Sequence, residues 1–286
     1  MNPARWLSAT NQPQNLRERE AFPDALERDV RQALATARGY LSLLPGGDPA
    51  WLLGKDVMEI GPGFHHGVSL ILACFGARMT VCDRFPPAWQ PAYHPAFYAL
   101  LLERLPGEFP GIDRRPLEAI RRDGSSIKDH VTELGMAVER IPRSLRNRFD
   151  AIFSNAVLEH LFLPSRAIRR LALITRPGGL GFHQIDFRDH RDFSRPLEYL
   201  LLDRIHFWKT FYWSHGECGN RLRPAEFTRL FARSGFTLQT FEVNLSADAA
   251  YKKSFIPKLR SAPSIYARWP EAELTTLGGR MQVVRT

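Results

Sequence analysis

Apolar positions along this chain switch between a helical and a strand-like period. Leu26, Val30, Leu34 and Leu41 recur at near-helical spacing over residues 24 to 44, Asp24 can cap that helix, and Pro45-Gly46-Gly47 ends it. Short apolar runs then alternate with longer ones. Val57-Met58-Glu59-Ile60 predicts a strand that stops at Gly61, Val68 to Phe75 a helix, and Met79-Thr80-Val81-Cys82 a second strand that stops at Asp83. Further on, Phe149 to Ser154 predicts a buried strand, residues 164 to 175 a helix with Ile168, Leu171 and Leu173 inward, and Leu180 to Ile185 another strand. Helices are expected over Pro196 to Ile205 and Ala225 to Ser234, with Gly235 as C-cap, then strands over Phe236 to Val243 and Arg280 to Arg285. Strands alternating with helices imply βαβ units and an α/β fold.

Two stretches interrupt that rhythm. After Asp83, Phe85, Pro86, Pro87, Trp89, Pro91, Tyr93, His94, Pro95, Phe97 and Tyr98 form an aromatic, proline-rich segment, followed by a helical run from Leu100 to Leu105. Roughly 50 residues pass before the next strand, far beyond an ordinary βα connection. These aromatics are expected to wall a substrate pocket; the alternative is a satellite cluster that seals the sheet edge. The third strand is expected to end within Gly135 to Pro142 and pass there into a loop, with Asp123-Gly124-Ser125 as an alternative that would make Lys128 to Leu134 a helix.

Composition narrows the class. The 286 residues are 44% apolar and can hold one large α/β domain with additions, or two small ones. No apolar run approaches the roughly 18 residues of a membrane span, and Met1 to Glu20 is polar, without a secretory core. Residues 1 to 20 are expected to be loosely packed. Cys74, Cys82 and Cys218 show neither metal nor redox spacing and fit a reduced, cytoplasmic protein. The net charge of +9 comes from scattered arginines, without interleaved stacking aromatics, so nucleic acid is not favoured as a partner. An acidic small substrate or an anionic membrane surface stays open.

The chemistry concentrates at strand ends. Gly61 and Gly63 let the backbone turn sharply and approach a ligand, and Asp83 stands where a carboxylate can accept both hydroxyls of a ribose. A dinucleotide would favour G-x-G-x-x-G, with a helix N-terminus aimed at pyrophosphate. Here the third glycine, Gly67, is one residue late, and Glu59 precedes the first by two. A carboxylate there repels pyrophosphate but suits S-adenosylmethionine, which carries an ammonium and a sulfonium and no phosphate. His65 and His66 follow the turn, and at most one of these neighbours can face the ligand.

With Glu59-Ile60-Gly61-Pro62-Gly63, Asp83, Phe149-Asp150-Ala151-Ile152, Val157-Leu158-Glu159-His160 and Pro177-Gly178-Gly179 in order, the chain resembles the class I S-adenosylmethionine-dependent methyltransferases over about residues 55 to 245. The resemblance implies a Rossmann-like, mostly parallel seven-stranded sheet of order 3-2-1-4-5-7-6, with helices on both faces and the last strand antiparallel. It divides the chain into an N-terminal helical extension (1–50) and a methyltransferase domain (51–286) with an insertion at about 84–130. It implies S-adenosylmethionine as cofactor, held by Glu59, Gly61, Pro62, Gly63, Asp83, Arg84, Glu139 and Asn155. The third-strand loop offers Ala137 and Glu139 rather than a clear Asp, which leaves the adenine contact unsettled.

Methyl transfer needs a nucleophile placed behind the sulfonium methyl and, for a hydroxyl, a base. His160, His190 and Asp186 are the expected catalytic residues, since ligands in open α/β sheets lie beyond the carboxyl ends of strands. His183 and Asp189 belong to the same acid and imidazole group; a polar loop pairing Asp189 with Arg188 or Arg191 is the plainer alternative. In ubiquinone-biosynthetic O-methyltransferases, which share this segment, the Glu-His pair helps bind a divalent metal with an acid three residues earlier. Ala156 stands there in this chain, so no metal is expected. The expected activity is O-methylation of a small molecule in secondary or cell-envelope metabolism, with a homodimer allowed. The alternatives are a nicotinamide-dependent oxidoreductase and a noncatalytic cofactor-binding protein of the same fold.

Overall fold

The computed structural model describes residues 23–286. The expectation of loose packing over residues 1 to 20 falls outside them. Seven strands form one sheet of order β3-β2-β1-β4-β5-β7-β6. The chain divides into two compact units: one runs to Ser154 and takes in Leu173–Leu180, and the other comprises Asn155–Ala172 and Gly181–Thr286.

In the first unit, α1 (Pro23–Leu41) carries Asp24 in its first turn and buries Leu26, Val30, Ala33, Leu34, Ala37 and Leu41. The face at i, i+4, i+7 and i+8 spacing was legible as the apolar stripe of an amphipathic helix. β1 (Asp56–Ile60) is buried at every position and pairs in parallel with β2 (Arg78–Asp83) on one side and β4 (Phe149–Asn155) on the other. A strand covered on both faces reads as a continuous apolar run, which is why Val57 to Ile60 does not alternate. Between β1 and β2, α2 (Gly67–Cys74) is apolar nearly all round and almost wholly buried.

The long connection after β2 contains α3 (His94–Glu108), α4 (Arg115–Arg122) and a single turn, α5 (Ile127–His130). β3 is Val131–Gly135, so it ends at the first residue of the stretch expected to hold its end and the following loop. Its register places Val81 opposite Glu133 and Asp83 opposite Gly135. Thr132 and Glu133 are exposed, and the strand is an edge of the sheet, so it lacks the apolar run that marks its neighbours. The alternative helix over Lys128 to Leu134 is also corrected: only its first turn is helical.

At the start of β1, Asp56 takes ion pairs from Arg78 (2.8 Å), Arg148 (3.1 Å) and Arg176 (3.1 Å). The Arg78 hydrogen bond, against the cost of burial, holds the Asp56 carboxyl below its ordinary range. Three of the scattered arginines therefore serve one buried carboxylate at the end of the strand away from the glycine turn.

α6 (Pro164–Ile174) leads into β5 (Thr175–Asp186), which starts five residues before the expected strand and includes the Pro-Gly-Gly segment. In the second unit the helix expected over Pro196 to Ile205 is replaced by one 3-10 turn, Glu198–Leu201, and then α7 (Arg204–Trp213). The cause is Asp203, whose side chain accepts hydrogen bonds from Ile205 N and His206 N and so starts the helix there. α8 (Pro224–Arg233), β6 (Phe236–Ser246), α9 (Ala249–Ser261) and α10 (Glu271–Thr275) follow.

β7 (Thr276–Arg285) lies antiparallel to β6, as expected, but begins four residues earlier. Gly278 and Gly279, which look like a turn, lie inside the strand. A Cβ at Gly279 would come within 2.5 Å of the Phe241 ring, and one at Gly278 within 2.7 Å of the Asn244 side chain. The start of β7 is pinned by Arg223, which is fully buried and donates to the carbonyls of Phe187, Glu273, Leu274 and Thr276. No helix among the described residues is long and apolar enough to cross a membrane.

Candidate functional site

β1 delivers Glu59 and Ile60 to the glycine turn. Gly61 has φ 66° and donates its N–H to the Cys82 carbonyl at 3.0 Å, which ties the turn to the end of β2. Gly63 has φ 71° and lies exposed, with open space around an added Cβ. Pro62, between them, is buried. The positive φ is a conformation that glycine adopts without the Cβ penalty other residues carry.

Glu59 is buried, and its carboxylate accepts the hydroxyl hydrogen bond of Ser69 in α2. Burial pushes its pKa up to about 7, with the Ser69 bonds pulling the other way. A carboxyl in this state gives up its proton readily when a cation arrives beside it. The buried Tyr40 ring stacks on Phe153 at 4.5 Å; its hydroxyl has no hydrogen-bond partner and feels the Glu59 charge.

Asp83 closes β2. Its carboxylate accepts from Phe85 N at 2.7 Å, and burial raises its pKa above the ordinary value. On the neighbouring strand Glu133 meets His66 Nε2 at 3.0 Å, and that bond holds Glu133 below its ordinary range. His66 has φ 52°, and His65 points elsewhere, its ring stacked on Phe97 at 4.0 Å and its Nδ1 accepting Gly67 N at 3.0 Å. The two histidines thus diverge, as adjacent residues must. Arg84 lies over the Phe85 ring at 4.9 Å, and burial lowers its pKa against the charge of Glu139. Glu139 is buried in the 3-10 turn Val138–Arg140 after β3.

The aromatic insertion braces this turn instead of standing open as a pocket wall. Tyr93, Phe97 and Tyr98 are fully buried. His94 Nε2 lies 3.1 Å from the Phe64 carbonyl, Tyr98 donates to the His65 carbonyl at 2.7 Å, and Tyr93 donates to Asp29 in α1 at 2.7 Å. The expected aromatic wall is corrected accordingly: these rings and their polar tips fix the backbone from Phe64 to Gly67. Trp89 stays partly exposed.

The second unit holds the other group of expected residues. Asn155 ends β4, half-buried, and Ala156 follows with φ 53°, its N–H donated to the Gln184 carbonyl at 3.0 Å. The turn Leu158–His160 comes next. Its carbonyls are held by Asn220, which donates from its backbone N–H to Glu159 O at 2.6 Å and from Nδ2 to Leu158 O at 2.8 Å and Leu161 O at 3.3 Å.

Glu159 is buried, accepts Asp186 N at 3.2 Å through Oε1, and has no hydrogen-bond partner at Oε2 among the described residues; burial pushes its pKa up to about 8. His160 Nδ1 meets the Gly216 carbonyl at 2.9 Å, and burial lowers its pKa to about 4. Its ring meets that of His190 edge-on at 4.8 Å. His190 Nε2 lies 3.3 Å from Asp186 Oδ2. Burial alone would raise the Asp186 carboxyl, but the Arg188 bonds at 2.9 and 2.6 Å, together with His190, outweigh it and hold the group ionised.

Glu159, His160, Asp186 and His190 are therefore one connected group. His183 and Asp189 are engaged elsewhere. His183 is buried with its ring on Phe231 at 5.0 Å, and burial pushes its pKa down to about 3. Asp189 is gripped by Arg191 at 2.9 and 2.5 Å, the plainer of the two expectations for it. Sequence reasoning missed Ser69, Glu133, Tyr40 and the loop Gly216–Asn220. Ser69 had a signal, as the lone hydroxyl in an apolar helix; the loop had none, because its contribution is backbone carbonyls and one amide.

A sequence profile for a family described as Methyltransferase domain matches residues 26–240. No curated protein matches in sequence. Among solved structures, a candidate sarcosine dimethylglycine methyltransferase from Galdieria sulphuraria is similar at TM-score 0.50, with 13% identity over 93% of this chain and 92% of its own. An S-adenosylmethionine dependent methyltransferase from Mesorhizobium loti is similar at TM-score 0.47, with 14% identity over 91% of this chain and 100% of its own. The 1,6-didemethyltoxoflavin-N1-methyltransferase of Burkholderia thailandensis, crystallised with S-adenosylhomocysteine, is similar at TM-score 0.44, with 15% identity over 91% and 82%. The profile covers most of the chain, including the glycine turn, both strand-end acids and the Glu159-His160 turn. On that match and the sheet order, the chain belongs to the class I S-adenosylmethionine-dependent methyltransferases.

Proposed function

We propose that this protein transfers the methyl group of S-adenosylmethionine to an oxygen atom of a small molecule, in secondary or cell-envelope metabolism. The observation that carries the oxygen assignment is the pairing of His190 with an ionised Asp186 beside the buried Glu159. A hydroxyl acceptor must lose a proton as it attacks the methyl group, and a carboxylate-oriented imidazole is suited to receive it. His160 is not the base in this reading, since burial pushes its pKa down to about 4 even though the Gly216 carbonyl bond pulls it upward.

For the cofactor, Glu59 faces the cationic methionine end, Gly61, Pro62 and Gly63 carry the turn around it, Asp83 takes the ribose hydroxyls, and Arg84, Glu139 and Asn155 complete the set expected to hold it. Nucleic acid is disfavoured as the acceptor because so many arginines are committed within the fold: Arg78, Arg148 and Arg176 to Asp56, Arg188 to Asp186, Arg191 to Asp189, and Arg223 to carbonyls. A cytoplasmic enzyme is the form in which we expect it, and a homodimer is compatible with this reading.

The test has two stages. S-adenosylhomocysteine should raise the melting temperature and NADH should not. A panel of hydroxylated and acidic small molecules is then incubated with S-adenosylmethionine and scanned by mass spectrometry for a methylated product. Methyl ethers or esters support the proposal; methylamines as the sole products overturn the oxygen assignment. Cofactor binding with no transfer to any acceptor in a broad panel favours the noncatalytic alternative.

A further inference from the structure

Among the described residues, Glu159, His160 and His190 each offer a ligand atom, and the three atoms lie within 4.8 Å of one another. We infer that they form a binding site for one divalent transition-metal ion of the zinc class, a two-histidine, one-carboxylate set. Ala156 removes the acid expected three residues before Glu159, and His190, from the loop after β5, takes the third position instead.

Four features of the group point to a cation. First, Glu159 is buried and its Oε2 has no hydrogen-bond partner. An unsatisfied buried carboxylate oxygen is costly, and a coordinated cation removes that cost. Second, the His160 Nδ1 contact with the Gly216 carbonyl fixes the proton on Nδ1 and leaves the lone pair on Nε2, the form in which an imidazole ligates a metal. Third, His190 has a carboxylate at hand: Asp186 stands 3.3 Å from its Nε2 and is itself clamped by Arg188. Carboxylates that orient ligating histidines are a recurrent outer layer of metal sites. Fourth, the platform is rigid, since Asn220 grips the carbonyls on both sides of His160.

The geometry is near closure. Bonds of about 2.0–2.2 Å to zinc place ligand atoms roughly 3–4 Å apart, so small side-chain rotations bring the three inward. Two nitrogens and one oxygen favour a first-row transition ion over magnesium or calcium, which take oxygen ligands. With three protein ligands the ion keeps a position open. The site stands independently of the acceptor proposed above, although it shares His190. With an ion bound, His190 would be a ligand and not the base, and the charge of the ion would lower the pKa of an acceptor hydroxyl so that its proton could pass to solvent.

The experiment uses the full chain, stripped with a chelator and dialysed. Zinc is titrated by calorimetry and by melting temperature, and cobalt(II) by visible absorption. We expect one zinc per chain with micromolar or tighter affinity, a rise in melting temperature, cobalt bands of a four- or five-coordinate site, and no response to magnesium at the same concentration. His190→Ala and the isosteric Glu159→Gln should each weaken zinc binding at least tenfold. His206→Ala, which removes an exposed histidine on α7, should not. Glu159→Gln keeps the test decisive should His190→Ala fail to fold. Absence of zinc binding, or equal binding by wild type and Glu159→Gln, overturns the site. S-adenosylhomocysteine binding, measured on the same samples, reports the methyltransferase reading separately.

Discussion

Two buried glutamates, one in each unit, show how the same side chain is fitted to different work. Glu59 and Glu159 are equally enclosed, and burial raises both, to about 7 and about 8. They differ in what surrounds the carboxylate. Glu59 has an adjustable donor, the Ser69 hydroxyl, beside the Ser69 backbone N–H on a helix of its own unit, and a neighbouring phenol, Tyr40, whose hydroxyl has no hydrogen-bond partner among the described residues. Glu159 has a fixed backbone donor on one oxygen, nothing on the other, and two imidazoles beside it. A hydroxyl can rotate to serve a carboxylate in either protonation state. A fixed N–H cannot, so the second oxygen of Glu159 waits for a ligand. Burial sets the raised proton affinity in both places, and the partner supply decides what each group does with it.

The sharpest break of this comparison is a pair of isosteric substitutions. Glu59→Gln should weaken S-adenosylmethionine binding by about 2–5 kcal/mol, the usual cost of removing one charge from a buried, hydrogen-bonded charge pair. Glu159→Gln should leave that affinity within about 0.5 kcal/mol. Calorimetry on both variants decides it. Equal losses would show that both acids serve the cofactor and would dissolve the division of labour.

How far the sequence foresaw this contrast can be read from particular residues. The glycine turn, β1, β2 and β4 were legible, because buried parallel strands are continuous apolar runs and Gly61 and Asp83 punctuate them at their ends; the order of the sheet came from the family resemblance. Glu59 was legible for the same reason, as an acid out of place in an apolar run. β3 was the hardest strand to delimit, only its end being expected near Gly135, because an edge strand with exposed Thr132 and Glu133 loses the apolar signature. The early start of β7 was hidden by Gly278 and Gly279, whose absent side chains make room for neighbours on β6 that no local window reveals. The link between Glu159 and His190 was only half visible: each stood out as a polar residue after a strand, but the turn that carries Glu159 and His160 is held by the loop from Gly216 to Asn220, through the Gly216 carbonyl and the backbone and side-chain amides of Asn220. Trp89 and its aromatic neighbours misled in the other direction, since ring-rich segments line pockets and brace loops alike.

The turn that serves Glu59 offers a second test. Gly61→Val places a β-branched side chain at φ 66°, a conformation costing about 1–2 kcal/mol for a residue with a Cβ, and more where the branch crowds the backbone. The melting temperature should fall, and S-adenosylmethionine affinity should drop by about 2–4 kcal/mol, because the added atoms stand where backbone and ligand approach. A variant that melts lower but binds normally would make the turn purely structural and move the ligand away from it.

Asp83→Ala should be milder. Losing the charge-assisted hydrogen bonds to a ribose costs about 1.5–3 kcal/mol in affinity. The Phe85 N–H contact at 2.7 Å is also lost, so a small fall in stability should accompany it. Unchanged affinity in a folded variant would remove Asp83 from the site and, with it, much of the argument that the β2 end holds the nucleoside.

The smallest effect is the most specific, because it reads the proton on Glu59 directly. Without ligand this carboxyl holds its proton up to about pH 7, against about 4.5 for an ordinary glutamate. A cationic ligand favours the ionised form, so binding below pH 7 must expel a proton. Affinity should therefore rise about tenfold, near 1.4 kcal/mol, for each pH unit between about 5.5 and 6.5, and flatten above 7. Calorimetry in two buffers of different ionisation enthalpy would register the released proton in the acidic range and its disappearance near pH 8. The stability of the free protein carries the opposite slope. A carboxyl whose pKa is raised in the folded state contributes fully below its unfolded value and loses that contribution as pH climbs through about 7. Glu59→Gln should abolish the rise in affinity and flatten this part of the stability curve, each compared with wild type at the same pH. If the affinity slope persists in the variant, the titrating group lies elsewhere, and Glu59 is a buried acid that never meets the cofactor's charge.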